Sequence, residues 1–364
     1  MSTPPPAVLA AFDFGGDVTA VTPYGEGHIN RSFAVTAATP AGPRRYLLQT
    51  INPRVFADAA GVMANIVGVT AYLRTQIAAA GGDPERETLT VVPTRDKQSY
   101  HRDADGVPWR VYRFVEGTVC YSSPPRPAVF EAAGRAFGEF ARRLEGYPAA
   151  TLHETIPHFH DTVARFAAFR TAVAADSAGR AGECAAEIDF ALGREADCAV
   201  LRDQLAEGRL PLRVTHNDTK LNNILMDPVR DAGVCVVDLD TVMPGLAVHD
   251  YGDAIRFGAS TAAEDEPDVS LVHVSLPLFE AFTAGYVPAA GLTRAETDNL
   301  LWGARLMTFE CGLRFLTDYL QADTYFHTTR PRQNLDRCRT QFALVAEMES
   351  LAGPLTRIIQ RYAG

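Results

Sequence analysis

Two carboxylates and an amide stand within one short stretch of this chain: Asp218, Asn223 five residues on, and Asp238 beyond the next apolar run. They stand at the ends of short apolar runs in the segments VTHND, TKLNNILM and VCVVDLD, which read as short strands able to bring all three side chains to one point. Phosphoryl transfer from a nucleotide needs that inventory: one carboxylate to orient or deprotonate the attacking hydroxyl, an amide and a second carboxylate to hold Mg2+. Asp218 is the candidate catalytic base, and Asn223 and Asp238 are the candidate metal ligands. Asp and Asn are also common turn residues, so either pair alone would read as a hairpin. The joint spacing carries the functional reading.

His216-x-Asp218, then four intervening residues before Asn223, and an apolar run delivering Asp238 are together similar to the catalytic and metal loops shared by protein kinases and by the aminoglycoside and choline phosphotransferases. Asn217 stands where many protein kinases carry the arginine that reads a phosphorylated activation loop. No Ala-Pro-Glu follows Asp238. Both facts argue against a phosphorylation-switched protein kinase.

The elements that must position these groups can be read in order. Short strands begin near Val18, and the first two flank Tyr24-Gly25-Glu26-Gly27-His28-Ile29-Asn30, where Gly25 and Gly27 let backbone N–H groups come close to phosphates. The strand Tyr46-Leu47-Leu48-Gln49 lies where kinases carry the lysine that grips the nucleotide phosphates. Gln49 stands there instead. A helix expected from about Phe56 to Ala80 offers Asn65 near the turn that carries the lysine's glutamate partner, so a neutral Gln49–Asn65 amide pair is the expected substitute. PWRVYRFVEGTV reads as a strand running into a connecting segment, and backbone groups near Arg113 to Val115 are the expected partners of an adenine ring.

From Pro125 the text is helical for most of the next 80 residues, and residues 265–364 read as three or four helices. His153, His158, His160 and Asp161 match no zinc spacing and read as capping or surface groups at a helix entrance. Asp250 and Asp253 fit a helix N-terminus supporting the active loop, with Asp240 as an outer support to Asp238. Arg314, Asp318, Tyr319, Asp323 and Tyr325 mix charged donors with aromatic faces, as a sugar pocket requires, although a packing helix reads similarly.

The 364 residues suffice for two lobes with a substantial core. A net charge of -10 without a basic stretch argues against nucleic-acid or anionic-membrane partners. The six cysteines are scattered without a Cys-x-x-Cys and read as buried thiols of a reducing compartment. No apolar run reaches membrane-spanning length and no basic leader opens the chain, so a cytoplasmic location is expected.

Taken together, GEGHIN, YLLQTIN, HNDTKLNNIL, VVDLDTVMPG, DYGD and RFLTDYL resemble the N-acetylhexosamine 1-kinases, a branch of the aminoglycoside phosphotransferase-like family, over about Val21 to Arg361. A glutamine in the third strand is in keeping with that branch. The resemblance implies an α+β, bilobal, protein-kinase-like fold, with a small β-rich N-lobe over residues 1–115 and a larger, mainly helical C-lobe over 116–364. It implies transfer of the ATP γ-phosphate to the C1 hydroxyl of N-acetylglucosamine or N-acetylgalactosamine, with Asp218 on that hydroxyl, Asn223 and Asp238 on Mg2+, and His28, Arg314 and Tyr325 on the sugar. A monomer or homodimer is expected. The rivals are a kinase of the same fold for glucosamine, another free sugar, choline or an aminoglycoside, a nucleotide-binding protein without turnover, as Gln49 suggests, and an interaction scaffold.

Overall fold

The computed structural model describes residues 3–25 and 29–363. Its N-terminal part is an antiparallel sheet built from β1 (Asp17–Pro23), β2 (Ser32–Thr39), β3 (Gly42–Thr50), β4 (Val91–Val92), β5 (His101–Arg102) and β6 (Pro108–Arg113), in the order β1-β2-β3-β6-β4, with β5 also on β6. Alternation in these strands sends Phe33, Val35, Leu48, Trp109 and Val111 to one face, which the short helix α1 (Pro6–Ala11) closes with Val8. The opposite face receives α2 (Ala59–Ala79). Asp58 caps this helix by accepting the Gly61 N–H at 2.9 Å, and Val62, Ile66, Val69, Leu73 and Ile77 fall on its buried side. A single turn, α3 (Pro84–Glu87), follows before β4.

Helices dominate after β6: α4 (Pro127–Arg143), α5 (Thr162–Ala175), α6 (Ala185–Leu192) and α7 (Val200–Ala206) lead to the strand pairs that bear the site. There β7 (Arg213–Thr215) pairs with β10 (Met243–Gly245), and β8 (Ile224–Asp227) with β9 (Ala232–Val236). The chain closes with α8 (Ala247–Gly258), α9 (Leu276–Ala289), α10 (Arg294–Asp298), α11 (Leu300–Leu320), α12 (Gln333–Ser350) and α13 (Ala352–Tyr362). The fold is the expected bilobal, kinase-like one. The region after residue 265 holds one helix more than expected, because the reciprocal capping of Thr293 and Glu296 stabilises the short α10.

Two helices bracket the site by backbone contact. A Cβ on Gly252 of α8 would lie 2.4 Å from the Gly303 carbonyl oxygen of α11, so only glycine permits the approach. That approach fixes α11 beside the loop that α8 supports. Of the six thiols, Cys184, Cys198, Cys235 and Cys338 are buried as expected, whereas Cys120 is exposed and Cys311 half-buried. No described helix is long and apolar enough to cross a membrane.

Candidate active site

Asp218, Asn223 and Asp238 converge. The Asn223 amide donates to the Asp218 carbonyl at 2.8 Å and to its Oδ2 at 2.9 Å, and the Asn223 carbonyl accepts the Val237 N–H at 2.9 Å, one residue before Asp238. Because the amide nitrogen turns toward Asp218, the Asn223 Oδ1 is left for a cation.

The two loops are clamped to each other and to α8. His216 Nε2 bonds the Val237 carbonyl at 2.8 Å, the Thr241 hydroxyl donates to the His216 carbonyl at 2.7 Å, and Asn217 Nδ2 donates to the Thr241 carbonyl at 2.9 Å. From the first turn of α8, the buried Asp250 carboxylate accepts the N–H groups of His216 at 2.8 Å and Asn217 at 2.7 Å. Those bonds hold Asn217 in the left-handed region, at φ 64°, immediately before the candidate base. Asp253 instead pairs with Arg256 at 2.9 Å, within α8.

Sequence reasoning passed over Lys220, two residues past Asp218. Its ammonium lies 2.8 Å from Asp218 Oδ1, opposite the Asn223 amide on Oδ2. Burial alone would raise the Asp218 carboxyl, but the Lys220 charge and these hydrogen bonds hold it below the usual carboxylate range. Asp218 is therefore an ionised acceptor with a free lone pair on each oxygen.

Asp238 is also left-handed, at φ 57°. Enclosure between the loops, then the neighbouring Asp240 and Asp218 charges, raise its carboxyl above the usual range. A cation there would relieve that repulsion. Among the described residues no group of three His, Cys, Asp or Glu could hold a metal alone. One amide oxygen and one carboxylate suit Mg2+, whose remaining positions go to phosphate oxygens and water.

The expected Gln49–Asn65 pair does not form. Asn65 is spent on backbone: its Nδ2 donates to the His153 carbonyl at 2.8 Å and the Val242 carbonyl at 3.0 Å, and its Oδ1 accepts the His153 N–H at 2.8 Å. Gln49 donates to Ser32 Oγ at 2.9 Å and accepts from Arg110 Nη2 at 3.2 Å, its cross-strand neighbour on β6. Asp240 is not on a strand beside Asp238 but in a tight turn, Leu239–Thr241. From there its carboxylate reaches back to Arg110 and accepts Asn30 Nδ2 at 2.7 Å.

At the end of β6 and just beyond it, the N–H groups of Arg113 and Phe114 are spent on the Thr90 and Arg45 carbonyls. The Arg113 side chain pairs with Glu85. Among the described residues the Val115 N–H makes no hydrogen bond, so it is a backbone donor this segment leaves unspent. Gly25 adopts φ 75°, and the Tyr24 ring beside it packs edge-on against Phe114 at 5.2 Å, which sets the end of β1 against that segment. Gly27 and His28 lie outside the described residues.

Arg314 and Tyr325 come together. The Arg314 guanidinium lies 5.9 Å from the Tyr325 ring, 5.4 Å from Phe326 and 5.8 Å from Phe159. His160, which the sequence placed among capping or surface groups, is instead mostly buried, bonding Glu310 Oε1 at 2.9 Å and the Asn217 carbonyl at 3.1 Å. The capping role falls to Asp161, which accepts the Ala164 N–H at 3.0 Å. The aromatic corner thus joins the loop that carries Asp218 through one imidazole.

A family model described as the phosphotransferase enzyme family matches residues 20–292. The chain belongs to that family. The phosphotransferase is also similar to an aminoglycoside phosphotransferase from Alicyclobacillus acidocaldarius subsp. acidocaldarius DSM 446, at 16% identity and TM-score 0.63, covering 99% of this chain and 98% of that one. A microcompartment-associated aminopropanol kinase matches at 15% and 0.59, over 96% and 97%. The choline kinase from Cryptosporidium parvum Iowa II matches at 12% and 0.53, over 94% and 93%. These likenesses establish the fold of the phosphotransferase.

Proposed function

We propose that this phosphotransferase is an ATP- and Mg2+-dependent sugar kinase that places a phosphate on the C1 hydroxyl of an N-acetylhexosamine. The observation that carries this reading is the meeting of an ionised Asp218, flanked by Lys220 and Asn223, with an aromatic corner that holds Arg314 and Tyr325 and is joined to the Asp218 loop by His160. A guanidinium among aromatic faces suits hydroxyls, an acetamido carbonyl and the C–H face of a sugar ring.

The reaction is in-line displacement. Asp218 takes the proton of the sugar hydroxyl as the O–P bond forms, while the bond from the γ-phosphorus to its bridging oxygen breaks and ADP departs with that electron pair. Asn223 and Asp238 would hold Mg2+, which supplies charge neutralisation on the transferring group. Holding hydroxyl and γ-phosphate in line supplies part of the about 7–11 kcal/mol available from positioning. Lys220, beside the base, is placed to balance charge on the incoming phosphoryl oxygens.

An ADP-release assay over N-acetylglucosamine, N-acetylgalactosamine, glucosamine, choline and an aminoglycoside tests this, with the product located by phosphorus NMR. A sugar 1-phosphate supports the reading; turnover confined to choline or the aminoglycoside would replace it with an amine kinase, the kind of acceptor named for the neighbours of the same fold.

A further inference from the structure

The turn Leu239–Thr241, which follows Asp238, is tied down from two sides. Residues beyond β6 hold one side: the Thr155 hydroxyl donates to the Asp240 carbonyl at 2.9 Å, the Thr241 hydroxyl to the His216 carbonyl at 2.7 Å, and Asn217 Nδ2 to the Thr241 carbonyl at 2.9 Å. The N-terminal sheet holds the other through the Asp240 carboxylate. Arg110 takes both of its oxygens, and Asn30, from the connection between β1 and β2, donates to Oδ2 at 2.7 Å across 210 residues.

The Asn30 amide fits this place in one orientation. Its Oδ1 accepts the Asn52 N–H at 2.9 Å while its Nδ2 meets the carboxylate, so a reversed amide would lose both bonds. Asn52 Nδ2 in turn donates to the Ile29 carbonyl at 3.1 Å, which fastens the β1–β2 connection to the loop between β3 and α2. Asp240 Oδ2, with two donors on it, has both lone pairs spent and offers none to a cation. The Arg110 pair is sealed from water, whereas Asn30 is half-buried and brings a neutral donor. Of the two links it is the one that water can replace.

We propose that Asn30 is a positioning residue for the metal site: by holding Asp240 it keeps the Asp238 turn in register with the β1–β2 connection, and so makes tight nucleotide binding depend on Mg2+. Asn30 acts through Asp240, not on the reacting atoms. With the bond made, Asp238 and Asn223 meet the cation already placed, and no binding energy goes into ordering the turn. With it lost, the turn must be ordered by the ligand, and Asp240 regains a lone pair two residues from Asp238. The inference rests on Asn223 and Asp238 as the Mg2+ ligands and is independent of which acceptor the phosphotransferase takes.

Calorimetric titration with AMP-PNP, once in Mg2+ and once in EDTA, measures how far the metal tightens nucleotide binding. The wild type should gain affinity from Mg2+. Asn30→Ala should lose about tenfold of that gain, the scale of one hydrogen bond to a charged group, while its Kd in EDTA stays close to that of wild type. Asn30→Asp keeps an acceptor for the Asn52 N–H but sets a carboxylate against Asp240 where the donor stood, so it should lose at least as much. An Asn30→Asp with the wild-type gain would show that Asn30 serves the Asn52 turn alone, and overturns the proposal. So does a fall in affinity equal in Mg2+ and EDTA, or a wild type with no gain from Mg2+. Each variant decides by itself, so misfolding of one leaves the test intact. A gain from Mg2+ that the variants lose, with no sugar 1-phosphate in a parallel turnover assay, would sink the sugar-kinase reading and leave the role of Asn30 standing.

Discussion

Arg110 of β6 grips Asp240 of the Leu239–Thr241 turn through both terminal nitrogens, with Nη2 to Oδ2 at 2.9 Å and both side chains almost wholly out of water, at 1% and 3% exposure. The pair joins the sheet to the segment that carries Asp238. Gln49, directly opposite Arg110 in the β3–β6 register, accepts from the same guanidinium. The cation that kinases place on the third strand is here one strand over, already neutralised by a carboxylate of the other lobe.

Arg110→Met should therefore be costly twice over. It strands the buried Asp240 carboxylate, an effect of about 3–5 kcal/mol for a broken buried pair, and it frees the metal loop from the sheet. Urea unfolding should show the loss in stability, and the KM for ATP should rise. Gln49→Lys alone should also lower stability, since it places a second cation against Arg110, while Gln49→Lys with Arg110→Gln should recover part of the loss. A stable Gln49→Lys with improved ATP affinity would show that the cation is not already supplied.

Lys220 is placed to act in turnover more than in binding. Its ion pair with Asp218 keeps that carboxylate ionised, and on the proposed mechanism it would set an ammonium beside the transferring group. Lys220→Met is expected to lower kcat by about 100-fold, the scale of losing one donor to a developing charge, with a smaller change in the KM for ATP. Steady-state kinetics with both substrates varied would check this split. Asp218→Asn should lower kcat further and leave nucleotide binding, read as a thermal shift with Mg·ATP, largely intact.

Much of this site could be read from the text because its groups lie close together in sequence. Asp218, Asn223 and Asp238 occupy one stretch of 21 residues, and short strands leave them few ways to diverge. The Gln49–Asn65 expectation failed for the opposite reason. Which side chain a strand residue meets depends on the register of a distant strand, and Arg110 lies 61 residues away. His160 was misread because its partner Glu310 is 150 residues on, and nothing near it in sequence marks it as buried. Lys220 was in plain view, but its meaning emerged only with its side chain against Asp218.

Asp250 tests the support of the loop. Its carboxylate is the common acceptor of the His216 and Asn217 N–H groups, and those bonds keep Asn217 left-handed. Hydrogen bonds to a charged group contribute about 1.5–3 kcal/mol each, so Asp250→Ala should lower stability by several kcal/mol and displace Asp218 from its partners. The expected kinetic signature is a fall in kcat larger than any rise in either KM. Asp250→Asn, which keeps one acceptor oxygen, should fall between Ala and wild type in denaturant midpoint.

The His160–Glu310 pair predicts a pH dependence whose sign follows from the two groups. Burial disfavours the His160 charge, but the Glu310 hydrogen bond and carboxylate outweigh it and raise the imidazole above its ordinary value. Burial would likewise raise Glu310, yet the His160 bond and charge pull it down to about 2. His249, whose ring is 5.5 Å from His160, is pushed down to about 3 by burial and the His160 charge, and so stays neutral at ordinary pH. Asp250, Asp253, Arg165 and Arg314 also reach the pair with their charges. A raised histidine stabilises the fold fully below the unfolded value of about 6.5, and that contribution is lost as pH rises through the higher folded value. A depressed glutamate stabilises above about 4.3 and loses its contribution as pH falls toward the folded value. The pair should thus contribute most between about pH 4.3 and 6.5. The melting temperature of His160→Gln, measured against pH, should fall below that of wild type most in this window, with the two curves approaching each other at higher pH. A constant difference across the whole range would show that His160 stabilises the loop only as a neutral hydrogen-bond partner.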